Sequence, residues 1–341
     1  MQLVRLTTVV AAALILSGCP RALDSAHERS PVPATSPAST SAQPASFSLP
    51  DAALPNPLVF ITYGDMRFTH VGEVNASLPM VRQALVAKVA AENPAAVFLN
   101  GDLPWHGVAE DYAVYVHETE VWRERGLRVY PALGNHEFSQ CTEAECLERW
   151  WTTFPELRGR RWYSVALGSK VLGVALDSES SLLAGSEQRA WLQGLVQHLG
   201  NGVRVLLIVM HHPPVADIQT ETLTSHNPRP NEIALAEYLG TLAPTLKAKI
   251  LVSAAHLHNY ERFLQSGVTY LVSGGGGAHP YEVERTAADL YQDKDFPNFH
   301  YVRFELHTDR LEAEMIRLSD SSAAAPSHWE IRDRFTLALP P

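Results

Sequence analysis

From residue 57 onward, short apolar runs alternate with longer stretches of helix-length, amphipathic sequence, and five of the runs break off at polar groups. Phe60-Ile61-Thr62-Tyr63 ends in Gly64-Asp65, and Val97-Phe98-Leu99-Asn100 in Gly101-Asp102. Tyr130-Pro131-Ala132-Leu133 ends in Gly134-Asn135-His136-Glu137. Leu207-Ile208-Val209-Met210 ends in His211-His212-Pro213-Pro214, and Ile250-Leu251-Val252 leads into His256-Leu257-His258. Strands that alternate with helices predict an α/β architecture with layered sheets and helices. In open α/β sheets the ligand crevice lies outside the carboxyl ends of the strands, so the five endings are expected to gather there.

The periodicity predicts strands over 58–61, 95–99, 127–133, 162–167, 171–176, 203–210 and 249–253, with helices over 78–91, 109–124, 143–153, 186–199 and 231–246. Strands at 268–272, 300–307, 311–318 and 334–339 make the tail strand-rich, which predicts a second sheet. With 46% hydrophobic residues in 341, the chain can bury a large core, and no linker-like break interrupts residues 57–341. One domain is expected there. The net charge is -10 and no basic block stands out, so no nucleic-acid partner is expected. An acidic chain that handles phosphate needs local positive charge, from metal ions or a few placed arginines.

Residues 1–19 read as an export signal: Arg5 is the positive start, 9–16 an apolar stretch too short to span a bilayer, and Leu16-Ser17-Gly18-Cys19 a lipobox. Lipid on Cys19 would hold the protein to a bacterial envelope membrane, and Pro20-Arg21 favours the outer membrane and its periplasmic face. Residues 20–56, rich in Pro, Ser and Ala, read as a solvated tether. The two remaining cysteines, Cys141 and Cys146, read as a disulfide in an exported protein.

Carboxylate, carboxamide and imidazole are donors for Zn, Fe or Mn. Each ending alone has a bland reading, since Gly-Asp after a strand is ordinarily a turn and His-x-His is ordinarily structural. Five in order at strand ends favour metal.

That order resembles the calcineurin-like metallophosphoesterase superfamily, over about residues 57–320, and Ala255-His256-Leu257-His258-Asn259-Tyr260-Glu261-Arg262 is similar to its purple acid phosphatase branch. Gly274-Gly275-Gly276-Gly277 then reads as a loop lining the site. The resemblance implies a four-layer αββα sandwich and two metal ions (Fe, Mn or Zn) that share Asp102. It implies Asp65 and His258 as further ligands of the first ion, and Asn135, His211 and His256 as ligands of the second, with His211 favoured over His212. It implies that His136 faces the substrate phosphate, as acid or charge stabiliser, and that Glu137 tunes His136. Water activated by the metals would be the nucleophile, and the substrate a phosphorylated small molecule or envelope component.

Two positions depart from the family pattern. Arg67 stands where the family has His or Gly, and Trp105 where the purple branch has a ligating Tyr. Arginine cannot ligate a metal. Arg67 is therefore either a phosphate clamp, acting with His136, or an outward-facing salt-bridge residue, and the first metal position is expected to be weak. His70 and His106 lie close enough in sequence to fill a gap. The alternatives left open are a phosphodiesterase or pyrophosphatase acting on nucleotides or lipids, and a lipoprotein that binds phosphate without turnover.

Overall fold

The computed structural model describes residues 46–219, 226–320 and 327–340. The export signal, Cys19 and most of the tether fall outside them.

Two mixed sheets carry the fold. In spatial order the first runs Trp329–Ala338, Arg310–Leu318, His300–Leu306, Leu58–Tyr63, Ala96–Leu99 and Val129–Pro131, the last three parallel. The second runs Phe47–Leu49, Tyr163–Leu167, Val171–Ala175, Val205–Val209, Lys249–Ala254, Val268–Ser273 and Tyr260–Gln265. Its central strands, from Val171–Ala175 to Val268–Ser273, are parallel.

Alternation along one strand shows how the layers stack. Val205, Leu207 and Val209 belong to the large core that includes the first sheet, whereas Leu206 and Ile208 join the helices Glu187–Gln197 and Pro230–Leu242 in a second core. A strand buried on both faces needs an unbroken apolar run, which is what Val205–Val209 is. Helices Pro79–Glu92, Ala109–Glu118 and Glu143–Thr153 supply Leu85, Tyr115 and Trp150 to the large core. The result is the α/β sandwich of four layers that the family resemblance implies.

Helix boundaries follow local chemistry. Pro79 and Pro230 begin their helices, Asn93 ends the first in the left-handed region at φ 48°, and Thr142 and Glu145 form a reciprocal capping box. The single helix expected over 109–124 is two, Ala109–Glu118 and Glu120–Glu124, because buried Thr119 turns its hydroxyl back to the Tyr115 carbonyl (2.6 Å). The folded unit also starts earlier than residue 57. Phe47–Leu49, which composition assigned to the tether, pairs in parallel with Val165–Leu167. Cys141 and Cys146 are bonded as a disulfide.

Candidate metal centre

Leu58–Tyr63, Ala96–Leu99 and Val129–Pro131 deliver Asp65, Asp102 and Asn135-His136 from the first sheet; Val205–Val209 and Lys249–Ala254 deliver His211 and His256–His258 from the second. All five are parallel-strand carboxyl ends on one side of the sandwich. Polar bonds lock the two sheets together there. Thr62 Oγ1 meets Ser253 Oγ at 2.8 Å, Asn100 Nδ2 donates to Ser253 Oγ (3.0 Å), and Gly64 N donates to the Ser273 carbonyl (2.9 Å).

The loops are strained where they turn in. Asp65 (φ 61°), Arg67 (49°), Asp102 (54°) and His256 (70°) all occupy the left-handed region, at a cost of order 1–3 kcal/mol each. That strain is overcome by a dense backbone network. Arg67 N donates to the Asp102 carbonyl (3.0 Å), and the Arg67 carbonyl accepts from Ser77 Oγ (3.0 Å) and Arg82 Nη1 (3.2 Å). Gly134 is required by close approach, since a Cβ there would lie 2.5 Å from Asp102 Oδ1.

All six expected ligand residues come together. His211 Nε2 lies 3.2 Å from Asp102 Oδ1, 3.0 Å from Asn135 Oδ1 and 3.1 Å from His256 Nδ1. His258 Nε2 lies 3.7 Å from Asp65 Oδ1. Carbonyls can only accept, so Nδ1 of His211, facing the Asn100 carbonyl at 3.0 Å, carries its proton, as does Nδ1 of His258 against the His279 carbonyl. Each Nε2 is then a lone pair aimed inward. Burial drives the His211 pKa down to about 3 against the pull of Asp102, and holds His256 and His258 well below the usual range. Asp65 is pushed up by burial and by Asp102, whereas Asp102 is held low, against its own burial, by His211, His136 and Arg67.

Acceptors therefore face acceptors among buried groups. Both Asp65 carboxylate oxygens and Nε2 of His256 and His258 are buried without a hydrogen-bond partner. Asp65, Asp102 and His211 bring their donor atoms within 4.8 Å of one another, as do His211, His212 and His256. A cation resolves this crowding of lone pairs, and the donor set fits one.

Other expectations are corrected. Glu137 does not touch the His136 ring. It is wholly buried and accepts the N–H groups of Asp102 (3.1 Å), Leu103 (2.8 Å) and Gly134 (2.8 Å), so it fastens two ligand loops. Arg67 does not face outward: it is 7% exposed, with Nη2 3.2 Å from Asp102 Oδ2. His106 bonds Ser139 and Gln140, His70 is exposed, and neither joins the metal-capable groups among the described residues. Three neighbours escape sequence reasoning. Tyr281 stacks on His258 (4.2 Å, 15°), the His226 ring lies 4.6 Å from that of His256, and Glu179 pairs with Nδ1 of His212 (3.0 Å). Only the Gly-rich run shortly before Tyr281 hints at any of them.

A two-sheet α/β sandwich thus converges a His/Asp/Asn cluster at its strand ends, the donor set of a candidate metal centre. The chain belongs to the calcineurin-like phosphoesterase family, whose model matches residues 66–260, and it is a metallophosphoesterase. Its fold is similar to that of the purple acid phosphatase PPD1 from yellow lupin (Lupinus luteus) seeds, with TM-score 0.64 and 19% identity over 83% of this chain. The chain spans 54% of that protein's length. It is also similar to a dimetal phosphatase from Danio rerio (TM-score 0.52, 14% identity, 81% of this chain and 99% of that one). A third likeness is to GAP50 of Plasmodium, the anchor in the inner membrane complex (0.57, 14%, 83% and 89%). No curated protein matches. The family implies metal-dependent hydrolysis of phosphate esters on a phosphorylated substrate.

Proposed function

We propose that Asp65, Asp102 and His258 hold one metal ion and Asp102, Asn135, His211 and His256 a second, and that the chain hydrolyses a phosphorylated small molecule or envelope component at this centre. The observation that carries the reading is the set of buried acceptor atoms without donors: both Asp65 oxygens and the Nε2 atoms of His256 and His258. Iron, manganese and zinc suit such a set. Bound there, the ions would acidify a water molecule and neutralise charge on the phosphate oxygens.

The protein's own groups do the rest. Arg67 spends one amino group on Asp102, and its remaining N–H donors suit two phosphate oxygens. His136 commits Nδ1–H to the Trp105 carbonyl (2.6 Å), so Nε2 is the atom that faces the leaving oxygen, and it passes a proton there only when the ring is the doubly protonated imidazolium. Burial lowers the His136 pKa, and Asp102, 3.8 Å away, opposes that shift. Residues 1–19 we read as the export signal and Cys19 as the lipid anchor, so that Cys19→Ser should move the protein from the membrane to the soluble fraction.

Elemental analysis of the full chain, with p-nitrophenyl phosphate and bis-p-nitrophenyl phosphate turnover, tests the proposal. Near two metals per chain, with turnover and metal both lost in Asp102→Ala, is expected. One metal or none, and no turnover under added Fe, Mn, Zn or Ni, overturns it and leaves phosphate binding without hydrolysis.

A further inference from the structure

Trp105 touches both groups assigned to the substrate, His136 through ring and carbonyl and Arg67 through the ring. Its indole stacks on the His136 imidazole at 4.7 Å and 25°, while the Arg67 guanidinium carbon lies 5.2 Å from the ring centroid. Its carbonyl accepts from His136 Nδ1 at 2.6 Å, and its N–H donates to the carbonyl of Phe68, next in chain to Arg67, at 3.0 Å. Around it the Arg67 segment is bound to the Asp102–Trp105 loop by Phe68 N to the Leu103 carbonyl (2.6 Å). Arg67 Nη2 and His136 Nε2 both approach one atom, Asp102 Oδ2, at 3.2 and 3.8 Å. The ring behind them is therefore common to two groups that point at the same place.

We propose that Trp105 is a positioning residue for the phosphate: its indole holds the Arg67 guanidinium and the His136 imidazole at one fixed separation, so that both engage a single phosphate group. The inference rests on the phosphoester-hydrolase reading above. The physical need is plain at Arg67. Its Nε is buried without a partner, its backbone is in the left-handed region, and a long side chain left to itself loses rotamer freedom on gripping a ligand. Stacking on the ring face and pairing with Asp102 remove that freedom before the phosphate arrives. At His136 the carbonyl fixes the tautomer and the ring fixes the plane. A residue that ligates metal at this position could not serve as such a platform, so the departure at 105 exchanges one task for another.

The test uses the metal-loaded full chain and the variants Trp105→Phe, Trp105→Leu, Arg67→Ala and the double variant Trp105→Leu/Arg67→Ala. Leucine keeps apolar bulk without a π face, and phenylalanine keeps the face. The expected result is unchanged metal content by elemental analysis in Trp105→Leu, with kcat/KM for p-nitrophenyl phosphate down about 10–100-fold. KM and kcat should both move, because the change reaches Arg67 and His136 together. Phenylalanine should restore most of the loss. The double variant should lose clearly less than the product of the two single losses, because the part of Trp105 that acts through Arg67 is already gone. Trp105→Leu with kinetic constants like the wild type, or losses that multiply in the double variant, overturns the proposal. So does loss of metal in Trp105→Leu. Titration with inorganic phosphate separates this inference from the one it rests on. A wild-type protein that binds phosphate without turnover sinks the hydrolase reading, yet weaker phosphate binding in Trp105→Leu still supports the platform, and equal binding removes it.

Discussion

Glu137 is the residue on which the candidate centre is hung. Three backbone N–H groups from two ligand loops end on its carboxylate, and burial together with Asp102 pushes its pKa up to about 8. Glu137→Ala leaves those donors buried and unpaired, at about 1–3 kcal/mol for each group not rescued by water. Thermal unfolding should therefore show a large drop in melting temperature, and elemental analysis a loss of metal. A variant that keeps both would mean that water replaces the carboxylate. Glu137 also marks the limit of what the sequence told at this scale. Asp65, Asp102, Asn135, His211, His256 and His258 were legible because each follows an apolar run directly, and the fold carries strand ends to one side. The partner of Glu137 was not legible, because a carboxylate next to His136 in sequence points elsewhere in space. Tyr281 and His226 carried no spacing signal, since they reach the site from long loops.

At the level of elements, the disulfide closes the short link between the His136 turn and the helix Glu143–Thr153. Cys141 Sγ approaches the Gly107 carbonyl at 3.2 Å, which places the link against the segment that follows Trp105. By the chain-entropy argument so short a loop is worth roughly 2 kcal/mol. Chemical unfolding of a Cys141→Ser/Cys146→Ser variant should show a loss of that order with metal content retained. Loss of metal would instead make the disulfide part of the centre's framework. Most elements were legible from periodicity, and two strands of the large sheets were not. Phe47–Leu49 is three residues in a Pro- and Ser-rich stretch, too short to show alternation. Tyr260–Gln265 contains Glu261 and Arg262, charges that read as loop. Inside the fold Glu261 accepts the Asp217 N–H (2.7 Å), and Arg262 pairs with Asp333 (2.6 Å). The Ser266-Gly267 turn, with φ of 51° and 79°, was the available hint of the hairpin to Val268–Ser273.

Over the whole molecule, acid sensitivity should have one identifiable source in His300. It is fully buried where the two sheets meet, with Nδ1 against the Asn298 carbonyl (2.8 Å) and Nε2 against Ser273 Oγ (3.0 Å). Burial, with Arg317 adding to it and the Asn298 carbonyl opposing, lowers its pKa to about 4. The folded state thus refuses a proton that the unfolded chain takes up near pH 6.5, so stability falls as pH drops from there to about 4, by roughly 3 kcal/mol in full. Urea unfolding at pH 7 and pH 5 should show a steeper loss in the wild type than in His300→Gln; parallel losses would assign acid sensitivity to other groups. The centre has a mechanical side as well. Its donors come from three strand ends of one sheet and two of the other, so whatever cation they hold acts as a clasp across the mouth of the sandwich. At a free metal concentration 100 times its dissociation constant, the clasp adds about 2.7 kcal/mol. Chelation should then lower the melting temperature as well as the rate. A compartment starved of metal would hold a protein that is loosened as well as idle, and more easily cut by proteases at the end where its two sheets part.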